Sequence, residues 1–264
     1  MIVDKINSYL TGTPKPMDGV KEEAGRIAEY IFDRQFQKEG RGGSYIGLSS
    51  CGKCPRQTAY SYLGFEHKGK EKDARSRVVF YQGDLTEQMI YLLAKLSGCK
   101  IRNGGLNQLS VSLKIGEKEV FGHPDGIVED EGEDVLVEIK SMSSYGFDSF
   151  QKGEIDEGYR YQINAYLEGL NLDRCVMVAM NKDAGVLGEH IIQKDPEIVQ
   201  KLKINLSLVL GATSDKLPEG VYLPNKDGIL PWQCLYCSFW GHCKPDAEKV
   251  LVKNSYKLKV KESK

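Results

Sequence analysis

The chain has 264 residues, 41% hydrophobic and 28% charged, and its 36 Lys+Arg against 37 Asp+Glu leave a formal net charge of −1. That length allows one large domain or two small ones, and the composition is ordinary for a soluble globular protein. A near-neutral balance excludes a global electrostatic pull toward nucleic acid, so positive charge serving such a partner must be local. Residues 1–14 lack the basic-then-apolar order of a signal peptide, and no run approaches the length of a membrane span. The expected compartment is therefore the cytoplasm, with no membrane partner. Seven cysteines there point to thiolates and metals rather than disulfides.

In chain order, Val20, Ala24, Ile27, Ala28, Ile31 and Phe32 recur at helical spacing and predict a helix over 18–37. A loop is expected over 40–44. Pro55, directly after Cys54, suits the first turn of a helix that Gly64 ends. Lys68–Arg77 is basic and glycine-interrupted, which predicts a mobile loop, either solvated or facing DNA. Val78–Leu96 predicts a second helix, containing Glu87. Strands are expected over 105–115 and 118–128, a helix over 159–170, strands over 175–181 and 186–193, and a helix over 196–210. Residues 231–243 are dense in cysteine and aromatics, and the lysine-rich tail from Lys244 is expected to be only partly ordered. There is no internal repeat, and no Gly-x-x-x-x-Gly-Lys-Ser/Thr loop that would encode an ATP motor.

Residues 121–140 set ionisable side chains into apolar runs. Phe121-Gly-His-Pro-Asp-Gly-Ile-Val and Val135-Leu-Val-Glu-Ile-Lys are β-rich and flank a polar turn at Glu129–Asp134. Alternation along the second strand puts Glu138 and Lys140 on one face and Ile139 on the other. The first strand delivers Asp125. Unpaired charge is expensive in such surroundings, which argues against a merely solvated hairpin. Carboxylate oxygens suit a hard divalent ion such as Mg²⁺, and a lysine beside it can hold or activate the attacking water.

Pro124-Asp125 with Glu138-Ile139-Lys140 resembles the PD-(D/E)XK nuclease superfamily, and the likeness runs from Ser49 to Cys243. It implies an α/β fold with a restriction-endonuclease-like α/β/α core and a mixed central sheet. It also implies that Asp125, Glu138 and the backbone carbonyl of Ile139 hold Mg²⁺ or Mn²⁺ while Lys140 orients the water. Glu87 matches the acid that the RecB and lambda-exonuclease branches place near the metals from a preceding helix; many iron–sulfur members carry His there. A surface helix acid is the alternative. His123 either adds an imidazole to the metal shell or is a turn residue bonding backbone. Gln162 and Tyr166 lie one helical turn apart and match the Gln-x-x-x-Tyr pattern of RecB-type nucleases, where they help position the DNA strand. The alternative there is a core tyrosine beside an exposed glutamine.

Cys234-x2-Cys237-x5-Cys243 puts three thiolates in ten residues, and Cys54 or Cys51 can supply a fourth from upstream. Four thiolates suit a [4Fe–4S] cluster or a structural zinc. One distant cysteine before the core and three after it resemble the iron–sulfur nucleases of the AddB and CRISPR-associated exonuclease type. Their first ligand is commonly followed by proline, which selects Cys54 over Cys51. Trp232, Tyr236, Phe239 and Trp240 either shield a cluster or pack as ordinary core. Cys99 and Cys175 read as buried apolar residues.

The implied organisation is an N-terminal helical segment at 1–48, a nuclease domain at 49–243 closed by the cluster, and a basic tail at 244–264. The implied function is metal-dependent DNA exonuclease activity in recombination, repair, phage or CRISPR-related DNA processing. Its partner would be DNA, as single strands or ends, with recombination, helicase or CRISPR proteins as companions. A zinc-stabilised endonuclease or nickase is one alternative. A non-catalytic DNA-binding assembly subunit that keeps the fold is another.

Overall fold

The computed structural model describes residues 1–13, 18–36, 46–69 and 74–260. The loop expected at 40–44, the centre of the basic stretch at 70–73, the last four residues of the tail and the Phe32 side chain lie outside the described residues.

Two helices come first, α1 (Ile2–Thr11) and α2 (Val20–Phe36), then α3 (Pro55–Tyr62) and α4 (Ala74–Leu96). Pro55 opens α3 as expected, and Cys54 is its N-cap. The helix α4 starts at Ala74, so the end of the basic stretch, expected as loop, is helical. Next come β1 (Ile101–Arg102), β2 (Val111–Ile115), β3 (Lys118–Gly122), β4 (Gly126–Asp130) and β5 (Glu133–Met142). The strands expected over 105–115 and 118–128 are thus shorter. Residues 105–107 form a 3-10 turn, and the second run breaks at His123-Pro124-Asp125.

The crossover from β5 carries α5 (Ser144–Gln151) and α6 (Glu157–Leu170) before β6 (Arg174–Asn181), β7 (Val186–Gln193) and α7 (Pro196–Leu210). Asp195 caps α7 by accepting from Glu197 and Ile198 N–H. Two four-residue helices, α8 (Trp232–Leu235) and α9 (Trp240–Cys243), precede a hairpin of β8 (Ala247–Val252) and β9 (Ser255–Val260). The tail expected to be loosely ordered is therefore a hairpin up to Val260. Leu258 anchors it in a small core with Leu230 and Ala247, against Trp240.

The main sheet has the order β1-β4-β5-β6-β7. β5 pairs antiparallel with β4 and parallel with β6, so the sheet is mixed. Parallel neighbours need a crossover, and α5–α6 provide it. The β4–β5 turn is tighter than the polar stretch suggested. Pairing runs on to Asp130↔Glu133, leaving Glu131 and Gly132 at φ 53 and 87. Two positive φ values match the twist of a two-residue hairpin.

Alternation on β5 sends Val135, Val137 and Ile139 into a core with α1 and α4, while Leu136 joins a second core with α6 and α7. Helices thus cover both faces in an α/β/α arrangement. Ile2, Val3 and Ile6 of α1 belong to the first of these cores, so the N-terminal helix packs with the sheet. No helix among the described residues is long and apolar enough to cross a membrane.

Candidate active site and cysteine cavity

The site forms where β4 and β5 part. Gly126 pairs with Val137, and the next position in that register sets Asp125 opposite Glu138. Directly opposed residues on neighbouring strands bring their Cβ atoms to about 4.5–5.5 Å. Beyond that point β5 loses its β4 partner, and Asp125 substitutes: its Oδ2 accepts from Ile139 N–H at 2.7 Å. Burial pushes the Asp125 carboxyl well above the usual carboxylate range, and the charges of Glu138 and Glu87 push the same way.

Glu138 is 0% exposed. Its Oε1 accepts from the Lys140 ammonium and from Gln162 Nε2, the latter at 2.8 Å. Its Oε2 is buried with no hydrogen-bond partner. Burial alone would lower the Lys140 pKa, but Glu138 and Asp125 more than reverse it, so the ammonium is held above its ordinary range. Lys140 Nζ also lies 5.3 Å from the centre of the Tyr159 ring.

The helix α6 supplies the second wall. Gln162 Nε2 reaches Glu138 Oε1 from this helix. Tyr166 is 1% exposed, so a DNA strand cannot reach its ring. Its hydroxyl donates to the His123 carbonyl at 3.2 Å, which fixes the turn entering Asp125. Gly122 makes room for it: a Cβ there would sit 2.7 Å from the Tyr166 ring. His123 itself is exposed, and its carbonyl rather than its imidazole is engaged.

Glu87 approaches from α4, on the opposite face of the sheet. Gln88 Nε2 and Gln108 Nε2 both donate to its Oε1, at 3.0 and 2.8 Å. Its charge acts on Asp125, but among the described residues no three His, Cys, Asp or Glu side chains gather as a ligand set for one ion. The structure therefore brings Asp125, Glu138, Lys140 and Gln162 together, sets Tyr166 behind them and ties Glu87 to two amides within electrostatic reach of Asp125. Sequence reasoning missed Tyr159, Gln88 and Gln108. Tyr159 carried a signal, since it lies three residues before Gln162 on one helix face. The two glutamines carried none.

The second feature is a cavity lined by Cys54, Cys234, Cys237 and Cys243, with Arg56 and Lys244 beside them. Burial raises the Cys234 thiol to about 11, and Cys237, Cys243 and Cys54 add to the rise. Burial also raises Cys237, against a hydrogen bond from Phe239 N–H to its sulfur at 3.3 Å. Cys51 does not line this cavity. It sits in the α6–α7 core, and burial raises it to about 12. Trp240, Tyr60 and Tyr222 wall the cavity and Phe239 is 4% exposed, whereas Trp232 and Tyr236 are 59% and 55% exposed and face outward. Cys99 and Cys175 are buried.

No family model and no curated protein matches the chain. Among solved structures, the chain is similar to SSO0001 at 17% identity and a TM-score of 0.49, covering 81% of this chain and 94% of that one. It is similar to an alkaline exonuclease from Laribacter hongkongensis at 14% identity and a TM-score of 0.43, covering 69% and 90%. A phage-related exonuclease from Haemophilus somnus matches at 15% identity and a TM-score of 0.41, covering 62% and 91%.

Proposed function

We propose that the protein is a divalent-cation-dependent deoxyribonuclease of the PD-(D/E)XK type, acting as an exonuclease. The observation that carries this reading is Glu138. One of its oxygens is held by Lys140 and Gln162, the other is buried without a partner, and the register sets a second buried carboxyl, Asp125, opposite it. A buried charged group left unsatisfied costs more than the 1–3 kcal/mol typical of a neutral one. A hard cation removes that cost and prefers these oxygens.

Asp125, Glu138 and the Ile139 carbonyl would hold Mg²⁺ or Mn²⁺, with Glu87 contributing directly or through water. When bound, the cation supplies Lewis-acid stabilisation of charge on the phosphodiester oxygens. The protein does the rest by placement. Gln162 orients Glu138, and Tyr166 holds the turn that delivers Asp125. Lys140, kept protonated by the two acids, donates to the attacking water or to a phosphate oxygen on the Glu138 face. The exposed His123 ring is not part of this set.

Cys54, Cys234, Cys237 and Cys243 would hold a [4Fe–4S] cluster. Support comes from the four thiols sharing one cavity, and from Arg56 and Lys244, whose charges offset thiolates there. Phosphodiester hydrolysis moves no electrons, so the cluster serves as a clasp between the segment before α3 and the segment after α7. Action at DNA ends and a place in recombination, repair, phage or CRISPR-related DNA processing are what the RecB- and AddB-like patterns in the sequence imply.

The test is digestion of 5′- and 3′-labelled linear DNA, single- and double-stranded, with Mg²⁺ or Mn²⁺, using circular DNA to report internal cleavage. Release of nucleotides from ends supports the reading. Cation-dependent cutting of circles alone would replace it with an endonuclease.

A further inference from the structure

We infer that the groove between the Glu138–Lys140 face and the cysteine cavity is a base-stacking path for single-stranded DNA, with Tyr145, Trp232 and Tyr236 as its stacking rings. This rests on the nuclease reading and specifies its substrate. Two open cavities form the groove. One, of about 590 Å³, is lined by Ser141, Tyr145, Tyr159 and Trp232. The other, of about 350 Å³, is lined by Tyr159, Gln162, Tyr222 and Tyr236. They share Asp156, Tyr159 and Trp232, so they run into each other. The groove also adjoins the reacting groups. Tyr159 stands 5.3 Å from Lys140 Nζ, and Gln162 holds Glu138.

Its rings are unusually open. Tyr145 is 85% exposed, Trp232 59% and Tyr236 55%. Trp232 and Tyr236 meet edge to face with centroids 6.2 Å apart, and each side chain stays more than half exposed. Large aromatic faces along a groove are platforms for bases, which stack on them whatever the sequence. Bases inside a duplex have both faces covered, so a run of successive platforms is open only to an unpaired strand. The charges fix the strand's orientation. Glu154, Asp156 and Glu157 outnumber Lys53 along the groove, and carboxylates repel phosphates. The strand therefore turns its bases, not its backbone, to this wall. The α8 segment carries both Trp232 and Cys234, so the cysteine module places a stacking ring as well as closing the fold.

The experiment is fluorescence anisotropy on the full chain, as purified, with labelled oligothymidylate and with a blunt duplex of equal length, using Ca²⁺ in place of Mg²⁺. The single strand should bind tighter than the duplex. Trp232→Ala, Tyr236→Ala and Tyr145→Ala should each weaken oligothymidylate binding by roughly tenfold, the scale of one lost base–aromatic stack. Trp232→Phe and Tyr236→Phe should restore most of it. Alanine variants that bind oligothymidylate like the wild type would overturn the inference, as would a wild-type preference for duplex. Hydrolysis by the wild type separates this from the nuclease reading. Cleavage with ring-independent affinity removes the groove alone, and ring-dependent affinity without cleavage removes the nuclease alone.

Discussion

Asp125 Oδ2 takes the Ile139 N–H that β4 leaves without a strand partner, at 2.7 Å. One carboxyl thereby ends the β4–β5 ladder and faces Glu138. Its two duties separate by substitution. Asp125→Asn keeps a carbonyl acceptor for Ile139 and should lose at least about a thousandfold in cleavage, a scale set by losing a principal stabiliser of transition-state charge. Asp125→Ala should lose activity and also about 1–3 kcal/mol of stability, because the buried Ile139 N–H is orphaned. Steady-state cleavage and urea unfolding of both variants decide it. Wild-type cleavage by Asp125→Asn would sink the assignment.

Glu138 needs the same care. It is buried against Lys140, whose side chain is 19% exposed. Breaking a buried pair by removing one partner typically costs about 3–5 kcal/mol. Glu138→Ala should therefore destabilise the protein heavily, and loss of its activity would say little. Glu138→Gln loses the charge but keeps the shape and an oxygen that can accept from Lys140 and Gln162, so it should lose less stability than Glu138→Ala while hydrolysing nothing.

The pH dependence follows from two raised pKa values. Asp125 titrates above the ordinary carboxylate range, so its contribution to stability is full below that range and declines as pH rises toward the raised value. A divalent cation competes with that proton. Mn²⁺ should raise Tm, and the rise should be larger at pH 8 than at pH 5.5. At a hundredfold excess over Kd the gain is about 2.7 kcal/mol, or roughly 5–10 °C for a chain of this size. Asp125→Asn should remove the shift, and an undiminished shift in that variant would place the ion elsewhere. The raised Lys140 keeps its charge through the whole range, so it adds no step near neutrality.

Tyr166 separates packing from chemistry. Tyr166→Phe loses the hydroxyl that bonds the His123 carbonyl and also meets the Gln162 side chain, about 1 kcal/mol per bond, and cleavage should fall modestly through kcat with KM unchanged. Tyr166→Ala empties a fully buried site and should cost about 3–5 kcal/mol. A Tyr166→Phe variant with raised KM and unaltered kcat would mean that the hydroxyl touches substrate instead.

How much of this was written in the sequence varies by element, for physical reasons. Both ends of α7 are marked locally, by Asp195-Pro196 at the start and Gly211 at the end, so its limits are legible. The strand break at His123–Asp125 carries a local signal in Gly122-His-Pro-Asp-Gly126, but the β-rich pairs Val120-Phe121 and Ile127-Val128 on either side read as one run. In the β8–β9 hairpin Tyr256, Leu258 and Val260 alternate with Lys257 and Lys259, but Lys249 stands opposite Leu258 and interrupts the apolar face, so the segment reads as a solvated tail. The eight residues of α5 hold Phe147 and Phe150 at helical spacing, too short a run to stand out beside Ser143, Ser144 and Gly146. In the site, alternation and motif name Asp125, Glu138 and Lys140. The amides holding Glu87 come from Gln88 and a loop, and no periodicity points at a loop. The choice between Cys51 and Cys54 was open by spacing alone. The structure places Cys54 with the other three and Cys51 in the apolar core.

That placement makes the clasp testable. Cys54 lies about 180 residues before Cys234, and closing a loop of that length is worth on the order of 5 kcal/mol by analogy with a disulfide. Cys54→Ser, Cys234→Ser, Cys237→Ser and Cys243→Ser should each bleach the brown colour, lose iron and lower Tm. Cys51→Ser should keep the colour and the iron, whatever a buried hydroxyl costs in Tm. Zinc in place of iron in the purified wild type would replace the cluster, and full stability without any metal would refute the clasp.

The central claim is that Glu138 and Asp125 make a cation-dependent phosphodiesterase. It is tested most directly by digesting end-labelled linear DNA with Mn²⁺, comparing wild type with Glu138→Gln at matched Tm. The account predicts digestion by the wild type that chelator abolishes, and none above background by Glu138→Gln. A folded Glu138→Gln protein that digests DNA at the wild-type rate would contradict it.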